Sequence, residues 1–361
     1  MELYTAVIYF GMSFAVCSVG LGRQLSAKAK VYTAANMASQ SDDSISVDLE
    51  NWMSKLPQEL HSVPINNLSI PGSHNSGSYS LSPQSPVAPD NEIYGTQLIK
   101  TLGPIGKHIL YSWSLTQSET AKQQLCAGIR YFDLRIATKS DPKDQNLYIV
   151  HGLYGYAIDN FFLEVKAFLD EHPREVLLLH FQHFYNMSDD DHQRLLHKLT
   201  STFGALMCQF TEKLENLTLT SLWRKGSQVL SFYNHDRLAK YHPFLWPASY
   251  IPNPWPNTDN VSALVTFWDN QIAKGRDANR FSVLQGVGTP QATTVAFHIC
   301  SSLRTLIVPK VNVALDSWVV GKVPGGEHGV NVVMCDFMEM DDYHMPKLVV
   351  DLNLKLLENL A

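Results

Sequence analysis

Charge is scarce in this chain. Of its 361 residues only 17% are Asp, Glu, Lys or Arg, the formal balance is -6, and no polybasic run occurs. A general nucleic-acid binder carries a basic excess, so that class is excluded, and so is docking on anionic lipid through bulk charge. Cysteine is sparse as well. Cys17, Cys126, Cys208, Cys300 and Cys335 are scattered, with no CxxC and no zinc spacing. That pattern argues against a structural zinc site or a disulfide framework and for free thiols. No G-x-G-x-x-G follows the first strand candidate, which removes the support for a dinucleotide-binding sheet. No internal repeat is evident. What the chain does have is apolar bulk: 45% hydrophobic residues, with 20 Gly and 18 Pro. This excludes a disordered chain and leaves ample material for a core. Fourteen histidines are many for the size.

One apolar run stands apart. Residues 3–21 are almost uninterrupted by polar groups and are followed by Arg23, Lys28 and Lys30. The length just suffices to span a bilayer or to act as a signal peptide, and the third reading is an extension upstream of the domain. The expected division is therefore an apolar leader over 1–36, a polar Ser/Asp-rich linker over 37–50 and one folded domain over 51–361.

Within that domain short β-like runs alternate with helical ones. Strands are expected at 65–71, 129–136, 147–151, 175–181, 227–233, 281–284 and 330–336. Helices are expected at 116–126 with Gly128 as C-cap, at 159–172 before Pro173, and up to Phe203 from a capping box formed by Ser188 and Asp191. A last one covers 346–360. Repeated β-then-α units imply a parallel sheet, and their number suits a single, irregular, TIM-like (β/α) barrel of α/β class. An open doubly wound sheet is the alternative. In a parallel barrel the polar residues at strand C-terminal ends are the catalytic candidates.

Side chains two apart share a strand face. Tyr131, Asp133 and Arg135 fall together, as do Leu147, Ile149 and His151. Val176, Leu178, His180 and Gln182 form a third set, and Val330, Val332, Met334 and Asp336 a fourth. The first strand runs straight into Gly72-Ser73-His74-Asn75-Ser76. Five strand ends thus bring His74, Asp133 with Arg135, His151, Gln182 and Asp336 to one mouth. Two histidines, an arginine and carboxylates suit in-line phosphoryl transfer: one imidazole takes the nucleophile's proton, the other protonates the leaving group, and a cation stabilises the charge between. A carboxylate fixes the base's tautomer. The remaining histidines have no such setting and read as packing or surface residues.

IPGSHNSGSYSL (70–81), CAGIRYFDLRIA (126–137), LYIVHGLYG (147–155), HPREVLLLHFQHF (172–184) and VVMCDFM (332–338) resemble the phosphatidylinositol-specific phospholipase C X domain. FLWP (244–247) and PNPWPNT (252–258) fit the group of proteins consisting of that domain alone. The resemblance spans about 51–357 in order. It implies His74 as general base on the inositol 2-hydroxyl, Asp336 as the aspartate orienting it, and His151 as general acid on the diacylglycerol oxygen. Arg135 matches the arginine of bacterial enzymes, where calcium-dependent ones place an acidic ligand, and Asp133 matches the acidic position before it. Asn75 and Gln182 stand at substrate-side positions, Asn75 where bacterial enzymes have Asp. With Asn75 and Gln182 the set is a poor cage for a hard cation, so no metal and no cofactor are expected. Tyr233 stands where bacterial enzymes offer basic residues and is expected to stack on or hydrogen-bond the inositol. The resemblance implies a phosphodiesterase that releases diacylglycerol and inositol phosphate through a cyclic phosphate, without calcium. A catalytically weak phosphoinositide-binding adaptor is the rival. The expected partner is a phosphatidylinositol-type lipid met at a membrane surface, with no nucleic acid, and the expected state a monomer. Placement is cytoplasmic or membrane-associated, or secretory if the leader is a signal peptide.

Overall fold

The computed structural model describes residues 48–141 and 143–359. The expected leader, and the linker as far as residue 47, lie outside the described residues.

Among the described residues nine strands form one sheet: β1 Ile70–Ser73, β2 Tyr131–Ala137, β3 Tyr148–His151, β4 Leu153–Ala157, β5 Leu177–Tyr185, β6 Val229–Tyr233, β7 Leu245–Pro247, β8 Val283–Gly286 and β9 Val332–Cys335. The order is β7-β6-β5-β2-β1-β9-β8, all neighbours parallel, with the antiparallel β3–β4 hairpin hung on β2. This is the expected irregular TIM-like barrel, and its sheet does not close. Between β7 and β8 the chain past β7 runs beside β8, where Phe281 N–H donates to Tyr250 O (2.9 Å) and Val283 N–H to Pro252 O (3.0 Å). Pro252, Pro254 and Pro256 lack the N–H donors that a ladder needs, so the seam stays irregular.

Strand alternation divides the core in two. Ile70, Tyr131, Leu178, Leu230, Phe232, Trp246, Val332 and Met334 pack inside the barrel with Trp52, Met53 and Leu60 of the N-terminal segment. Phe132, Leu134, Leu179, Phe181, Val229, Tyr233 and Val333 face outward onto helices such as Ile158–Glu171, which buries Phe161, Phe162, Val165 and Phe168. The capping box of Ser188 and Asp191 opens the helix Asp189–Phe203 as expected.

Several boundaries differ from expectation. Ile65–Asn67 is a 3-10 turn, closed by Asn67 N–H on Pro64 O (2.8 Å) and Leu68 N–H on Ile65 O (3.2 Å), and β1 starts only at Ile70. The helix expected from Thr116 begins at Ala121, where Thr120 and Gln123 form the capping box. The closing helix Met340–Asp351 gives way to a 3-10 stretch, Leu352–Asn359. Cys126, Cys208 and Cys335 carry free thiols. Among the described residues no helix is long and apolar enough to cross a membrane.

Candidate active site

Three strand ends meet at the barrel's C-terminal mouth. On the inner face of β1 the order Ile70, Gly72, His74 leaves His74 at the rim. A Cβ on Gly72 would lie 2.8 Å from Tyr131 Cδ1, so glycine lets the Tyr131 ring lean across beneath the site. His151 ends β3, and Asp336 follows β9 directly. The residue after each is left-handed: Asn75 (φ 40°), Gly152 (φ 70°) and Phe337 (φ 45°). A left-handed residue turns the chain sharply off the strand and leaves the preceding side chain standing at the mouth. For Phe337 that conformation costs roughly 1–2 kcal/mol, which the surrounding structure must hold, whereas asparagine at 75 tolerates it better.

His74 Nδ1 lies 2.7 Å from Asp336 Oδ1, and its Nε2 lies 3.1 Å from Asn75 Nδ2 and 3.9 Å from Asp133 Oδ2. Because Asn75 Nδ2 is a donor, Nε2 accepts and the ring proton sits on Nδ1, facing Asp336. Asp133 is enclosed; its Oδ2 accepts from Asn75 N–H (3.1 Å) and lies 3.7 Å from Arg135 Nη2. Ser76 Oγ accepts from Asp133 N–H at 2.8 Å, which pins β2 to the loop after β1. Burial opposes ionisation of Asp133, but Arg135, His74 and the Asn75 N–H together hold its carboxyl below the usual range. Asp336 moves the other way: burial raises it, and His74 counters only in part. His151 Nδ1 donates to Ser114 O (2.6 Å), and its ring centroid is 6.1 Å from that of His74. Burial, with Arg135 and His74 adding, lowers the His151 pKa to about 3. The free protein therefore holds His151 neutral, with Nε2 bare.

His74, Asp133, Arg135, His151, Asp336 and Asn75 thus come together. Tyr233 does not join them, and Gln182 stands at an irregularity of its strand. The β2–β5 register shifts between Leu134 and Arg135, so Arg135 lies opposite His183 and Gln182 is the extra residue of a bulge. Gln182 lends its backbone carbonyl to Asn234 Nδ2 (2.8 Å). Tyr233 is wholly buried on the outer face, its hydroxyl 2.7 Å from His192 Nδ1. Alternation along β6 turns Phe232 inward and Tyr233 away from the mouth, which overturns the expected inositol contact. Four participants had no sequence signal strong enough to single them out: the Ser114 carbonyl, Ser76, His183 and Asp90, whose Oδ2 accepts from Gly152 N–H (2.9 Å). Among the described residues no three His, Cys, Asp or Glu side chains converge on a point that would hold a metal ion.

No protein-family model matches the chain. Individual relatives do. PI-PLC X domain-containing protein 2 of Mus musculus is 40% identical over 313 residues, 86% of this chain and 89% of its own. PI-PLC X domain-containing protein 3 of Homo sapiens is 39% identical over 295 residues, 82% of this chain and 91% of its own. Among solved structures, phosphatidylinositol-specific phospholipase C from Staphylococcus aureus superposes with a TM-score of 0.56 at 17% identity, covering 85% of this chain and 98% of its own. The enzyme of that name from Listeria monocytogenes gives 0.54 at 18%, covering 85% and 99%. At such identities the likeness to the solved structures is one of fold.

Proposed function

The chain belongs to the PI-PLC X domain-containing proteins, and from that premise we propose that it is a phosphodiesterase cleaving phosphatidylinositol-type lipid to diacylglycerol and inositol phosphate. The observation that carries this is the His74–Asp336 pair at 2.7 Å, facing His151 across a ring separation of 6.1 Å. His74 Nε2 takes the proton of the inositol 2-hydroxyl, and that oxygen attacks phosphorus. The bond from phosphorus to the diacylglycerol oxygen breaks, and His151 Nε2 supplies the leaving oxygen with its proton. Arg135 stabilises the charge that builds on the phosphoryl oxygens. Water then opens the cyclic phosphate with the two imidazoles in exchanged roles. The step calls on no metal, because the guanidinium beside Asp133 supplies the positive charge. The lipid is met in a membrane surface, so a working molecule is membrane-associated, from the cytoplasmic side or, if the leader is a signal peptide, from the secretory one.

His151 sets the main requirement. With its pKa near 3, about one molecule in 10⁴ carries the acid's proton at pH 7. A bound phosphodiester, by neutralising Arg135, reverses part of that depression. The same observation favours the rival reading, a phosphoinositide-binding protein with weak turnover. One experiment separates them: phosphatidylinositol vesicles are incubated with the protein, its His74→Ala and its His151→Ala variants, with and without EDTA. The expected result is cleavage by the parent, a loss of at least 10²-fold in each variant, and no change with EDTA. Vesicle binding without cleavage by the parent gives the binding reading, and strict calcium dependence overturns the metal-free step.

A further inference from the structure

We infer that residues 114–117 are a positioning strap for the acid–base centre, with Gln117 its principal positioning residue; the part of this that concerns turnover rests on the reading above. Thr116 and Gln117 are 0% exposed although neither lies in a helix or strand. The strap touches each strand end that carries a proton-transferring residue or its partner, through the backbone at β1 and β9 and through the His151 ring at β3. Ser114 O receives the His151 Nδ1–H at 2.6 Å. Thr116 Oγ1 donates to His74 O at 3.0 Å. Gln117 Nε2 donates to His74 O at 3.1 Å and to Cys335 O at 3.0 Å. Phe337 N–H, just past Asp336, donates to Thr116 O at 2.7 Å. The strap is anchored on Ser78, whose Oγ accepts from both Thr116 N–H (3.1 Å) and Gln117 N–H (2.9 Å).

The double contact of Gln117 explains why an amide is needed there. Strands β1 and β9 end their ladder with His74 N–H on Cys335 O at 3.1 Å. Beyond that rung the left-handed residues Asn75 and Phe337 turn both chains away, and His74 O is left inside the protein without a ladder partner. A primary amide has two donors, and Gln117 spends them on the two strand ends, acting as one more rung made of side chain. The rung lies directly behind the His74 Nδ1–Asp336 Oδ1 contact and fixes its length. Removal of such a rung lets the strand ends part, and a displacement of about 1 Å in a reacting pair costs on the order of 10²-fold in rate.

The test uses the full chain and two readouts. Gln117→Met keeps the side chain's length and removes both donors. The His74 tautomer is read by long-range ¹⁵N–¹H correlation of the histidine rings, with His74→Ala for assignment. The parent is expected to hold the Nδ1–H tautomer and Gln117→Met a mixture. On phosphatidylinositol vesicles the variant's kcat is expected to fall about 10- to 100-fold with KM within about twofold. A parent without the Nδ1–H tautomer overturns the inference. So does a variant whose tautomer is unchanged and whose kcat falls no more than its folded fraction, since a merely packed glutamine would behave that way. If Gln117→Met fails to fold, Thr116→Val removes the hydroxyl that meets His74 O (3.0 Å) and the anchoring Ser78 Oγ (2.7 Å) and is expected to shift the same signals more weakly; no shift overturns the inference. The ring readout needs no substrate, so a parent that turns over no lipid defeats the catalytic reading and leaves the positioning test standing.

Discussion

Buried imidazoles near the mouth make stability depend on pH in a direction that can be worked out. His180 is 3% exposed, its Nδ1 is 2.8 Å from the Tyr131 hydroxyl, and no part of the proposed chemistry uses it. Burial pulls its pKa to about 4; Asp133 pulls it up and His183 down. An unfolded chain protonates the same ring near 6.5. Between those values the unfolded state holds a proton that the folded state refuses, so stability is complete above about pH 6.5 and is lost as pH falls towards 4. The gap is worth up to about 3 kcal/mol. His180→Gln removes this dependence, because glutamine has nothing to titrate. Urea unfolding of the parent and the variant between pH 6.5 and 4 is expected to give a visibly flatter curve for the variant. Parallel curves would mean that the fold leaves the His180 ring as easily protonated as the unfolded chain does.

The same residues show how far the elements were legible. Alternation placed Asp133 and Arg135 on the inner face correctly because β2 runs seven residues without a break of its own. One strand over it lost the register, where an extra residue in β5 sets His183 opposite Arg135; period two cannot register a bulge. It failed at Tyr233, where the inner face was decided by phase, and pairing of His180 with Phe232 sets that phase. Backbone groups such as the Ser114 carbonyl carry no signature at all, so the partner of His151 was beyond reach. The β-then-α rhythm sufficed for the barrel, whereas the proline-rich seam was readable only as a break. The corrected place of Tyr233 has its own test. Tyr233→Phe removes the partner of His192, which is 5% exposed, and is expected to cost about 1–3 kcal/mol of stability with lipid turnover per folded molecule unchanged. A fall in turnover without a fall in stability would return Tyr233 to the site.

At the scale of the whole molecule the two ends of the barrel do different work. The C-terminal mouth gathers the titratable groups at some cost in buried charge and left-handed backbone, and the opposite end ties the fold together. There Arg130, fully buried, donates from Nε (3.0 Å) and Nη2 (2.8 Å) to Glu175 Oε2, and from Nη1 to Leu125 O and Ile129 O. Nη2 also reaches Leu49 O and Glu50 O, so the end of the expected linker already belongs to the folded unit. Glu175 in turn accepts from Met53 N–H and Ser54 N–H, and Trp52 Nε1 donates to Gly128 O at 2.9 Å. The N-terminal segment is thus stitched across the barrel floor by one ion pair and its satellites. Burial weakens the Arg130 charge and Glu175 restores it, so each member is tolerable only with the other. Glu175→Gln is expected to lower stability by about 3–5 kcal/mol by leaving a buried guanidinium without its counter-charge, and the pair Arg130→Met with Glu175→Leu to recover most of that loss. Denaturant unfolding gives the stability. Turnover normalised to the folded fraction is expected to stay at the parental level in both variants, because the chemistry sits at the other end of the strands. A Glu175→Gln variant losing less than about 1 kcal/mol, or folded but inactive, would show that the floor and the mouth are not separable in this way.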